Sequence, residues 1–332
     1  GDYPAAILAY DLVLRRFSTH ELAPESALDQ AILAETVLQN NRRADEILLA
    51  FVERYPKDAR VARVRNHLAV LSERGVAAKG VAEPAEAVAR YRAYATHHPA
   101  DLGDPVMNGA VAGPTAALRH AAILATQALK DPKLAIDIHR QYETLPRADK
   151  GTGFIEAARL AAANAEAGDP RPLFQAALKA DPRAEWQLEY ARWLKNAGHE
   201  ADAQAQYLDL VGKATAWEIV REALDQLAPE ATRGYLNNRP TDIAAFSHYL
   251  QRFKAPEQRP AGREVLDAWL QRNDLDWKTA IAADWYGWTN DPADADRLIQ
   301  IADAEGYMAV SVATSLKEAD GWLPEDPQKS QQ

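Results

Sequence analysis

Trp277, Asp284 and Trp288 are the residues whose types and spacing best suit recognition chemistry. Trp277 and Asp284 are seven apart, which brings them to one side of a helix, and Trp288 borders the same face four residues on. Indole rings beside a carboxylate can stack on sugar rings, hold amines, or grip a partner's apolar and basic side chains. Trp269, Trp285 and Tyr286 crowd the same stretch, with Trp322 beyond it, and bulky residues there also serve as plain packing.

Catalytic chemistry has no comparable foothold. The sequence holds no HExxH, no GxSxG and no phosphate loop of the GxxxxGK type. His97 and His98 are adjacent, so they point to different sides of a helix and read as a solvated pair at a helix end before Pro99, with Asp101 nearby. The stretch NDPADADRL (290–298) lacks the alternating ligands, central glycine and distal glutamate of an EF-hand loop. Asp291 before Pro292 reads instead as a helix N-cap followed by acidic residues in the first turn. No catalytic residue, metal or cofactor is expected, and the chain reads as a non-enzyme.

The elements that must carry these residues are helices. Alanine, leucine and arginine are abundant, and β-branched residues are sparse. A stripe recurs, made of a small residue, a large one four later and another three later. It appears as Ala6/Tyr10/Val13, Ala44/Leu48/Phe51, Ala87/Tyr91/Tyr94, Ala135/His139/Tyr142 and Ala203/Tyr207/Leu210, with Ala295/Ile299/Ala302 a paler copy. The small member lets a neighbouring helix approach, and the large members fill the groove beside it. His139 on such a stripe is expected to be packed. Pro56 and Pro99 each follow a stripe and end its helix, and AEAGDP (165–170) and KNAGHE (195–200) place glycine where a helix C-terminus needs a left-handed residue.

These residues resemble the tetratricopeptide repeat (TPR), a helix–turn–helix unit of about 34 residues. The clearest copy runs from Ala184 to Leu210, with Tyr190, Ala191 and Leu194 on its first helix and Ala203 and Tyr207 on its second. The resemblance implies an all-α fold, a right-handed α-α superhelix (solenoid) of about eight degenerate hairpins over residues 1–320, followed by a polar disordered tail at 321–332. First helices would line the concave wall. On that reading Glu185, Leu188, Arg192 and Lys195 face the groove in the clear copy, His120, Leu124 and Gln127 in the hairpin before Ala135, and Trp277 and Asp284 farther on. Tyr286 falls at a packing position.

Degenerate, tryptophan-rich arrays of this kind are similar to those preceding the outer-membrane barrel in bacterial exopolysaccharide exporters of the cellulose, poly-N-acetylglucosamine and Pel systems, the Pel exporter most of all. That resemblance implies a periplasmic scaffold segment that recruits a polymer-modifying enzyme and guides polymer to a pore. The alternative is a generic adaptor, periplasmic or cytoplasmic, whose groove takes a peptide or protein tail. The net charge of −10 suits a cationic polysaccharide and argues against nucleic acid. No apolar run approaches the roughly 20 residues of a membrane span. The absence of cysteine excludes disulfides and thiolate sites. Gly1 falls at an inter-helix turn, so both ends are expected to cut through repeats of a longer protein whose end hairpins pair with copies of themselves.

Overall fold

Capping side chains and prolines set where the helices begin. In the computed structural model, which describes residues 3–79, 84–102, 113–239, 242–272, 278–289 and 291–304, Asn40, Asp131 and Asp242 each precede a helix. Each accepts a backbone N–H three residues on, from Arg43 (3.0 Å), Leu134 (2.9 Å) and Ala245 (3.1 Å). Asp291 takes the N-cap role expected of it, accepting the Ala293 N–H at 3.0 Å. That bond, aided by Arg263, holds its carboxyl below the usual carboxylate range. Gly198, with φ of +80°, closes a helix by letting His199 donate to the Leu194 carbonyl (2.8 Å) and its own N–H reach Lys195 (3.0 Å).

The described residues are all helix and connection, with no strand, and the chain forms two compact units, Gly1–Trp186 and Gln187–Gln332. The first holds α1 (Tyr3–Arg16), α2 (Ala23–Ile32), α3 (Asn41–Arg54), α4 (Val61–Lys79), α5 (Pro84–His97), α6 (Gly113–Gln127), α7 (Pro132–Glu143), α8 (Thr152–Ala163) and α9 (Arg171–Ala180). From α1 to α9 each helix packs on the next in the chain, the pattern of a helical-repeat solenoid. The unit boundary falls in the first turn of α10 (Ala184–Asn196). The second unit continues with α11 (Glu200–Lys213), α12 (Trp217–Gln226), α13 (Pro229–Asn237), α14 (Ile243–Leu250), α15 (Arg259–Leu270), α16 (Lys278–Thr289) and α17 (Pro292–Ala304). Here α12 packs on α14 and α14 on α16, while α11 pairs with α12 and α16 with α17. No described helix is long and apolar enough to cross a membrane.

The stripes form the interiors. Ala44, Leu48 and Phe51 are buried between α2, α3 and α4, Ala87, Tyr91 and Tyr94 between α4, α5 and α6, and Ala203, Tyr207 and Leu210 on α11. The first stripe differs: Ala6, Tyr10 and Val13 are only half-buried, because α1 packs mainly on α2 and the turn after it and meets α3 through few contacts, among them Arg54 on the Leu14 carbonyl (3.2 Å). Gly1, Trp277, Trp322 and the 321–332 segment lie outside the described residues.

Between α2 and α3 the chain makes one widened helical turn, Leu33–Val37, closed by the Leu38 N–H on the Leu33 carbonyl (3.1 Å). It carries Glu35, whose Oε2 meets Nε2 of the fully buried His67 at 2.6 Å while Oε1 accepts from Arg74 at 2.9 Å. The His67 hydrogen bond, with the His67 and Arg74 charges, holds the Glu35 carboxyl below the usual range against the opposing effect of burial. A depressed carboxyl stabilises the fold fully above its unfolded pKa and loses that contribution as pH falls through the folded value. Glu35→Gln is therefore expected to cost about 2 kcal/mol near neutral pH. In urea titrations across pH the gap to wild type should close in acid, and a gap independent of pH would show that the charge is not its source.

Candidate functional site

Helices α6, α7 and α8 enclose a cleft of about 490 Å³. Arg119, Ala122, Ile123, Thr126 and Gln127 recur at spacings of three and four and so form one face of α6. His139 and Tyr142 come from α7, and Thr152, Gly153, Glu156 and Leu160 from α8. The volume lies in the range of sites that take a small ligand or a few side chains.

The end of the cleft is built on Gly153. A Cβ there would collide with the main-chain carbonyl of His139, so α8 approaches α7 more closely than any other residue allows. The same turn is tied by Glu143, the last residue of α7. Its carboxylate accepts the N–H groups of Gly153 (2.6 Å), Gly151 (3.0 Å) and Phe154 (3.4 Å), which fills the N-terminus of α8. Lys150 donates to the carbonyls of Glu143 (2.6 Å) and Leu145 (3.2 Å) and holds the connection down.

The charges in the cleft are unevenly matched. Glu156 is held by Arg159 at 2.6 Å. Arg119 lies 5.3 Å from the centre of the Tyr142 ring and donates to its hydroxyl at 3.0 Å, and among the described residues no carboxylate pairs with it. His139 is half-buried and lines the wall instead of being packed away, and among the described residues its ring nitrogens have no hydrogen-bond partner. Burial pushes its pKa down; the Arg119 charge acts in the same direction and Glu156 against it. Arg119, bonded to a neutral hydroxyl, and the unbonded imidazole of His139 thus face a partly apolar cleft.

Of the residues expected to face a groove, Gln127 lies in this cleft. His120 points to another side of α6, with its ring 5.9 Å from Tyr91 and Nδ1 3.5 Å from Glu73. On α10, Arg192 makes a two-pronged ion pair with Glu222 and Lys195 donates to Gln226 at 2.6 Å, so both tie α10 to α12, while Glu185 is exposed. Leu188 is buried and Leu124 packs on the first unit's core, contrary to their expected groove positions: leucine on the flank of such a face gains more from the neighbouring helix than from water. Asp284 is exposed and accepts from Ser247 at 2.5 Å, and Trp288 is half-buried with the Lys254 ammonium 4.7 Å from its ring centre. Trp269, Trp285 and Tyr286 are interior.

His97 is exposed, but His98 rests against Tyr94 (ring centres 6.0 Å apart), and burial and the Arg65 charge push its pKa down. Among the described residues no three histidine or carboxylate side chains gather as metal ligands. Arg119, Ile123 and Glu156 were not expected at a site. On α6 the available signal was the Arg119/Ile123/Thr126 spacing, a face that includes Gln127 and is turned by about 100° from His120 and Leu124.

No protein-family model matches the chain, and no curated protein matches it. Among solved structures it is similar to a tetratricopeptide repeat protein from Parabacteroides merdae, at 11% identity and a TM-score of 0.32 over 88% of this chain and 96% of that one.

Proposed function

We propose that the chain is a non-catalytic binding scaffold that seats a protein partner in the α6–α8 cleft, and that it serves within a larger bacterial envelope protein of exopolysaccharide export. The observation that carries the binding reading is the cleft itself, an open space between three successive helices with apolar walls and polar side chains facing into it. The export reading rests on the sequence resemblance and on the charge. A net charge of −10 favours contact with a partly deacetylated, cationic glycan, while the cleft takes the periplasmic enzyme that modifies it.

Calorimetric titration of the chain with glucosamine oligomers and with purified periplasmic polymer-modifying enzyme tests both parts. Binding of the enzyme is expected to weaken at least tenfold in Ile123→Asp, which places a charge in the cleft wall, whereas glycan binding should weaken with salt and ignore that change. No interaction with either partner would overturn the export reading. Arg119, which no carboxylate pairs among the described residues, favours a second reading, an adaptor for an acidic peptide tail, and enzyme-independent binding of such a peptide would support it.

A further inference from the structure

We infer that the α6–α8 cleft is a site for an amphipathic carboxylate, with an apolar body against Ile123 and Leu160 and a carboxylate on the nitrogen donors of Arg119 and His139, and that filling it places a proton on His139. The inference rests on the cleft being the ligand seat, and it adds the chemistry of what sits there.

The donors decide the sign of the ligand. Arg119 is permanently charged, and its partner here is a phenol hydroxyl, a neutral acceptor. The two carboxylates that could neutralise it are committed, Glu156 to Arg159 and Glu143 to the N–H groups of α8. The helix N-terminus at the cleft is therefore filled and is not the anion site. What remains is a guanidinium able to make charge-assisted bonds and an imidazole with both nitrogens free, beside the apolar side chains of Ile123, Ala122 and Leu160. Ile123 is 50% exposed, an apolar surface that a ligand's hydrocarbon would cover.

The proton follows from the same neighbours. His139 faces Arg119 from α6 and Glu156 from α8, and its own helix adds the Tyr142 ring; Arg92 of α5 reaches α7 at Gln141. With the cleft empty, burial favours the neutral ring. A carboxylate arriving beside it offsets the Arg119 charge and favours the imidazolium, so binding and protonation reinforce each other.

The test uses the full chain and defined probes: N-acetyl-Leu-Phe as the free acid, the same dipeptide as its C-terminal amide, and octanoate. Calorimetry in buffers of different ionisation enthalpy is expected to show binding of an acid with uptake of up to one proton. Affinity should fall by up to about tenfold per pH unit above the His139 titration point. Arg119→Gln should weaken the acid at least tenfold at every pH, and Arg119→Lys should restore part of that loss. His139→Gln should weaken binding of the acid without abolishing it and lose proton uptake and the pH slope, and the imidazole nitrogen resonance absent from that variant should shift to the imidazolium position when wild type is filled. Preference for the dipeptide acid over octanoate identifies a peptide carboxylate; the reverse identifies a free small acid. Equal binding of acid and amide overturns the inference, as does failure of both acids at 10 mM or proton uptake retained in His139→Gln. Binding of the partner enzyme with no binding of either acid overturns this chemistry and leaves the scaffold reading standing.

Discussion

Gly153→Ala is expected to destabilise the first unit by about 3 kcal/mol, a fall of roughly 10 °C in its melting temperature. The added methyl would meet the carbonyl oxygen of His139, a main-chain atom that no rotamer change can move aside. Glu143, 3.0 Å from the same Cβ position, blocks the other direction. Relief therefore requires α8 to lift from α7, which loosens the three N–H bonds held by Glu143 and widens the cleft. Gly212→Ala is the control: it sits within α11 with open space around it, and replacing a helical glycine there should be neutral or stabilise by up to about 1 kcal/mol. Scanning calorimetry of the two variants separates a packing effect from the general cost of altering a helix. A Gly153→Ala protein as stable as wild type would mean that the α7–α8 approach is looser than described.

Asp294→Ala is expected to cost about 3–4 kcal/mol in the second unit. The buried Asp294 carboxylate accepts the indole N–H of Trp285 (3.1 Å) and the hydroxyl of Thr289 (2.7 Å), both buried, and the Arg263 guanidinium (3.1 Å). Removing it strands the first two without an acceptor, and those carry most of the penalty. Arg263 keeps Asp291 and is exposed enough to recover by hydration. Trp285 sits against Gly262, so the indole cannot swing away to find another acceptor. Urea unfolding with near-ultraviolet dichroism reads both effects, because a released Trp285 should lose its fixed aromatic signal. A loss below 1 kcal/mol would show that water replaces the carboxylate.

The architecture was largely legible because it is local. A small residue followed by large ones at four and three can bury its face only as a helix, and Ala44/Leu48/Phe51 and Ala203/Tyr207/Leu210 do so. Gly198 and Asp291 were readable because helix termini have stereotyped chemical needs. The site was less legible for a physical reason. A charged side chain on a helix face looks the same in sequence whether it meets solvent, a ligand or the next hairpin, and Arg192 and Lys195 meet α12. The cleft depends on how closely α8 approaches α7 and on Glu143 accepting from Gly153 ten residues further on, neither of which is a periodicity. His139 illustrates the limit. It lies on a stripe and so reads as packed, yet it is half-buried and lines the cleft.

In the first unit each helix packs on its neighbours in sequence, and this has a consequence for how a bound partner is felt. Opening of such a stack spreads by fraying, one helix interface at a time. A ligand across α6, α7 and α8 couples two successive interfaces, so fraying from either side must stop there or expel it. Amide hydrogen exchange should then slow in α5 and α9 as well, although neither lines the cleft. Occupancy would be reported along the chain as a change in how far the helices unzip, without any of them changing shape.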